Sequence, residues 1–151
     1  PNAYVSNGVL VASLATADLN LTSLDTVYFV RITKAILTAR IEGKSSSYRL
    51  VNGTLAGKVK DSDIFRMMSL SAPNGMTWCT NSMEYDFVRS QVCGRRDIRA
   101  GDTGPTLPCN AVSFAIGFEA EPARLGPVVE TPAPTINCPP AMDPSQASCD
   151  D

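Results

Sequence analysis

Five cysteines and no histidine set the limits of what this chain could do chemically. The cysteines are Cys79, Cys93, Cys109, Cys138 and Cys149. A thiol or hydroxyl becomes a strong nucleophile when a neighbouring base takes its proton, and imidazole is the usual base. With no histidine in its 151 residues, the chain cannot build a Ser-His-Asp or Cys-His arrangement from its own side chains. A Ser-Lys pair stays open in principle, but Lys34, Lys44, Lys58 and Lys60 all fall on stretches that read as exposed strand or turn. No C-x2-C pair exists to nucleate a zinc site.

Carboxylates are the next candidates. Asp61 with Asp63, and Glu84 with Asp86, stand at helix starts, where capping and the helix dipole account for them. Glu119 and Glu121 share one face of a strand, roughly 7 Å apart by strand rise. A glycosidase needs its two carboxyl groups flanking a cleft, and a solvated strand end is the better reading here. Asp18, Asn20 and Asp25, and the segment around Asp102, offer oxygen ligands of the kind calcium takes, without the spacing of a calcium loop. "GDTG" has no following lysine to make a phosphate cradle. No cofactor is called for. Asn20-Leu21-Thr22 and Asn52-Gly53-Thr54 are glycosylation triplets, which matter only in a eukaryotic secretory host. Arg95, Arg96 and Arg99 form the one basic cluster, diluted by Asp97 and Asp102, and read as a solvated loop. Net charge is −2, without the footprint of a nucleic-acid binder. Trp78 precedes Cys79. It reads first as packing against a disulfide and second as a sugar- or partner-binding platform. Met67, Met68, Met76 and Met83 read as core filling, with a soft docking surface as the sharper alternative.

The cysteines themselves read as disulfides made in an oxidising compartment. Five is odd, so Cys109 is the candidate for a free or interchain thiol, and Cys79, Cys93, Cys138 and Cys149 are the candidates for pairing. Cys79–Cys93 is the first expectation and Cys93–Cys109 the second. Cys138–Cys149 would clip the tail. A dozen-residue helix spans about 18 Å, so a Cys79–Cys93 bridge requires the chain to fold back over it. A staple of this kind contributes about 3 kcal/mol.

Hydrophobic residues make up 44% and charged residues 19%, enough for one core. No apolar run approaches the roughly 20 residues of a membrane helix. The chain starts at Pro1 without methionine or signal peptide and reads as a processed or truncated product. Residues 9–14 and 27–30 are β-rich. In "RITKAILTARIEG" the apolar phase of Val30 and Ile32 is opposite to that of Ala35, Leu37, Ala39 and Ile41, which predicts a β-bulge near Thr33–Lys34. A turn at 42–47 precedes a return strand, 48–60. Its "VNGT" reads as a bulge in one long strand rather than a hairpin turn, with Leu55, Gly57 and Val59 facing in. "DSDIFRMMSL" predicts a short helix capped by Asp61 or Ser62, and "APNG" breaks it. A second helix is expected over 81–92, with Met83, Phe87, Val88 and Val92 inward and Gly94 at its end. Along "AVSFAIGFEA" Val112, Phe114, Ile116, Phe118 and Ala120 share one face. The other face is small before it is acidic, which predicts a central strand packed on both sides. Pro122 ends it. Residues 127–151 are rich in Pro and read as an extended tail beyond a 1–126 domain.

The expected fold is mainly β: an antiparallel, jelly-roll-like β-sandwich, with two short helices inserted before the last core strand. "YRLVNGTLAGKV", the capped helix, "VCGRRDIRAGD" and "LPCNAVSFAIGFEAEPARLG" together resemble uncharacterised secreted or lipoprotein β-domains of the myxobacterial type, over about residues 27–126. The resemblance implies a secreted, periplasmic or outer-membrane-associated bacterial setting, often with a lipidated N-terminus. No lipobox cysteine stands near Pro1, so any lipid anchor would lie upstream. The expected role is non-catalytic: a structural or accessory subunit of a cell-envelope or extracellular assembly, meeting larger partners through a sheet face or the Pro-rich tail. The alternative is a carbohydrate-binding module using Trp78, with or without calcium. A hydrolase using Glu119 or Asp102 comes third.

Overall fold

The computed structural model describes residues 2–23, 26–44, 47–70, 78–101, 107–124, 126 and 138–150. Five strands form one antiparallel sheet in the order of the chain. They are β1 (Asn2–Ser6), β2 (Val9–Ser23), β3 (Thr26–Glu42), β4 (Arg49–Lys60) and β5 (Ala111–Ala120). Helices α1 (Asp61–Leu70) and α2 (Met83–Gly94) lie between β4 and β5, and 3-10 turns follow at Pro140–Met142 and Pro144–Gln146. The fold is mainly β, with two helices before the last strand. The second sheet of the expected sandwich has no counterpart among the described residues. A layer of helices stands over part of the sheet instead, with Ile64 of α1 packed against the sheet's core.

The long hairpin follows from alternation and one local break. Lys34 takes a positive φ of 49°, and the β3–β4 register shifts between Thr33 and Ile36. That extra residue lets Ile32 and Ala35 both face the core despite their odd spacing, as the phase change predicts. Asn52 (φ 50°) does the same in β4, where the register against β5 shifts between Leu50 and Gly53. β4 runs through it unbroken, so "VNGT" is a bulge. The Asn-Gly turn of this fold is Asn7-Gly8, with both φ values positive, and it joins β1 to β2. β1 is only five residues long, and the second half of β2 has threonine as its sole β-branched residue type, so neither stands out in the sequence.

Two glycines make room in the core. A Cβ on Gly57 would stand 2.5 Å from Ile32 and 3.1 Å from the Ala35 Cα, and a Cβ on Gly53 would strike the Phe118 ring. Leu55, Val59, Ile32 and Ala35 then form the sheet's buried cluster, with Phe114, Ile116 and Phe118 against it.

β5 is an edge strand, not the central strand expected. Its small face, Ser113, Ala115 and Gly117, is exposed. Small side chains are as compatible with an open surface as with close packing, so alternation alone could not choose. The start of its outer edge is covered: Ala111 exchanges backbone hydrogen bonds with Ile98, and the Ser113 N–H donates to the Asp97 carboxylate at 2.7 Å.

Candidate functional site

The helical layer is assembled by contacts distant in sequence. In α1, Phe65, Met68 and Ser69 are buried, and Phe65 meets Tyr85 of α2 with ring centroids 6.0 Å apart. Ser82 caps α2, its hydroxyl accepting from the Tyr85 N–H. Val88, Val92 and Trp78 pack on the same cluster, together with Ala147 and Cys149 from the C-terminal segment.

That segment is bound to the layer covalently. Cys79 pairs with Cys138, and Cys93 with Cys149. Neither the expected Cys79–Cys93 bridge, nor Cys93–Cys109, nor Cys138–Cys149 is formed. The 12 residues of α2 span about 18 Å, and the returning tail supplies a partner for Cys79 and for Cys93. Cys109 is free and partly buried. Polar contacts follow the same course. The Thr80 N–H donates to the Met142 carbonyl, and the Arg89 guanidinium to the Ser148 carbonyl. Residues 138–150 are therefore packed structure, with Pro144 buried. Residues 127–137 lie outside the described residues. Two disulfides fit an oxidising, extracellular-type environment.

Arg96 was expected in a solvated loop. Its side chain is 16% exposed and bridges Asp61 at 3.3 Å and Asp150 at 3.0 Å. Asp61, the first residue of α1, is itself buried and accepts from the Ser62 N–H. One guanidinium thus ties the start of α1 to the end of the tail.

Against this well-partnered interior, the outward face of α2 is apolar. Met83 is 83% exposed and Phe87 66%, although both were expected inward. The helix carries two apolar stripes. Tyr85, Val88 and Val92 took the core because Phe65 and the disulfide ends lie on their side. The hydrophobic content of Met83 and Phe87 could not reveal this. Trp78, Met83, Glu84, Phe87 and Val88 line a shallow, open hollow of about 400 Å³. Of these, Trp78 is partly buried. Its indole Nε1 is buried with no hydrogen-bond partner.

The remaining candidates do not converge. Glu119 and Glu121 are exposed at the far end of the edge strand β5. Asp18 pairs with Arg31 across β2–β3 at 2.8 Å. That hydrogen bond holds the Asp18 carboxyl below its ordinary value and raises Arg31. Asp97 is lowered too, by hydrogen bonds from the Ser113 hydroxyl and then its backbone N–H. Lys58 donates to the Arg99 carbonyl. Asn20 and Asn52 are exposed on strands. Asp25, Met76 and Asp102 lie outside the described residues. Among the described residues no three His, Cys, Asp or Glu side chains are grouped to hold a metal ion, and no helix is long and apolar enough to cross a membrane. No known protein family matches the chain, and no curated protein or solved structure shows significant similarity to it.

Proposed function

We propose that this chain is a non-catalytic structural or accessory subunit of a bacterial cell-envelope or extracellular assembly, and that it docks a protein partner through the outward face of α2. The supporting observation is the pair Met83 and Phe87, exposed beside the Trp78 hollow on a helix held at both ends by disulfides. Large apolar side chains grouped on a rigid element mark an interaction surface. Anchors of this kind, including aromatic ones, dominate docking energetics. A rigid face also loses less entropy on binding. The absence of histidine from the sequence supports a role outside nucleophilic catalysis. A carbohydrate platform would lay an open indole face against a sugar ring, and here Trp78 is partly buried.

The test is site-specific photo-cross-linking in the native host. A photoreactive phenylalanine analogue at Phe87 is expected to trap one discrete partner. The same analogue at Ser113, on the exposed sheet face, is expected to trap none. Identical adducts from both positions, or none from Phe87, would overturn the reading.

A further inference from the structure

The face of α2 also carries a charge pattern. Successive helical residues turn by about 100°, so Met83 and Phe87 form one stripe. Glu84 lies on one flank of that stripe and Asp86 on the other. Both carboxylates are exposed, and neither has an ion-pair or hydrogen-bond partner among the described residues. Farther along the same stripe comes Gly94, where an added Cβ would meet nothing within 4 Å, so another backbone has open access. Around Met83 and Phe87 the site is thus a shallow apolar groove with a carboxylate on each side, while Arg89 turns to the Ser148 carbonyl and the exposed Arg95 stands beyond the far end of α2.

We infer that the occupant of this groove is a cationic segment of a partner protein, carrying an aliphatic or aromatic anchor side chain flanked by Lys or Arg. This rests on the docking role proposed above. The anchor fills the Trp78–Phe87 hollow, where the flexible Met83 thioether adjusts to its shape. The flanking cations meet Glu84 and Asp86, which set orientation and partner choice more than affinity. Charge also disfavours an anionic lipid surface, which these carboxylates repel.

The experiment is an NMR titration of the disulfide-intact protein with two synthetic probes, acetyl-KKLFLKK-amide and its acidic twin acetyl-EELFLEE-amide. The basic probe is expected to shift the amides of residues 83–94 and to bind about tenfold more tightly than the acidic one. Its affinity should fall as salt rises from about 0.05 M to about 0.5 M. Glu84→Lys with Asp86→Lys should reverse the preference, and the neutral pair Glu84→Gln with Asp86→Asn should erase it. Phe87→Ser should abolish binding of both probes. Equal binding of the two probes, shifts away from α2, or concentration-dependent self-association through α2 would each overturn the cationic occupant. So would failure of both probes where Phe87 still gives its cross-link, which leaves the docking role standing. Failure of both probes together with loss of the cross-link would sink both readings.

Discussion

The sheet and the helical layer are held together in opposite ways. In the sheet, neighbours in the chain are neighbours in space, every pairing is an antiparallel hairpin contact, and no covalent link is used. Its cohesion comes from ladder hydrogen bonds and from apolar side chains such as Ile32 and Leu55. The helical layer has a small buried cluster, Phe65, Met68 and Tyr85, closed by a segment more than fifty residues away. A cluster of that size cannot offset the cost of ordering two short helices and a tail. Two disulfides and the Arg96 bridges make up the difference. Among the described residues both layers expose large apolar side chains, Tyr4, Val5, Phe29 and Ile36 on the sheet and Met83 and Phe87 on α2, and the pair on α2 is the most exposed.

That contrast can be broken, most severely by reduction. Each disulfide closes a loop of nearly sixty residues, with sequence separations of 59 and 56. Chain-entropy reasoning gives about 4 kcal/mol for the first one removed. Cys79→Ala with Cys138→Ala should lose about that much in urea unfolding. Hydrogen exchange should speed up through α2 while the amides of Ile32 and Leu55 stay protected. Loss of protection in both regions together would show that the layers fold as one unit.

Arg96→Met comes next. It leaves the Asp61 carboxylate buried without its cation, at a cost of about 3 kcal/mol. Adding Asp61→Asn should return part of the loss, which a double-mutant cycle would read directly.

The two glycines Gly57 and Gly94 sharpen the comparison at a smaller scale. Gly57→Ala drives a Cβ into Ile32 and the β3 bulge, and should cost about 2 kcal/mol. Gly94→Ala enters open space at the end of α2 and should change stability by less than about 1 kcal/mol. Equal thermal shifts for the two would contradict the packing described for the sheet.

The smallest effect is a pH dependence at the sheet edge. Asp97 has its carboxyl lowered in the folded state from an ordinary 3.8. Its contribution is therefore fully present above 3.8 and disappears as pH falls through the lower folded value. Asp97→Asn should flatten the acid limb of an unfolding-midpoint-against-pH curve and leave the neutral region nearly unchanged.

Much of the sheet could be read from residue order. The phase slip between Ile32 and Ala35 located a bulge because a strand has period two and one extra residue reverses its faces. Gly57 and Val59 were placed inward for the same reason. The two Asn-Gly pairs show where such reading stops. Both Asn7 and Asn52 adopt positive φ, yet one closes a hairpin and the other bulges a strand. The dipeptide specifies a backbone conformation, and the pairing partners decide what it is used for. β5 failed similarly: Ser113, Ala115 and Gly117 are small on either an edge or a centre.

The candidate site was less legible. Trp78 reads from the sequence first as packing and only second as a binding platform, and Glu84 with Asp86 reads as a helix start. Met83 and Phe87 were assigned to the core, because two apolar stripes on one helix look alike until a neighbour chooses between them. Arg96 looked solvated because Asp61 and Asp150 are far from it in the chain.

By itself the sequence determined a mainly β chain with two helices before its last strand, the site of each bulge, and an oxidising environment for its thiols. These are consequences of local period, backbone preference and composition. The tertiary structure alone decided which cysteines pair, that β5 lies at an edge, which side of α2 is buried, and that the C-terminal segment closes over the helices. Each of these depends on what long-range loop closure brings together, and that is settled by the competition among packed arrangements rather than by the order of residues along any one element.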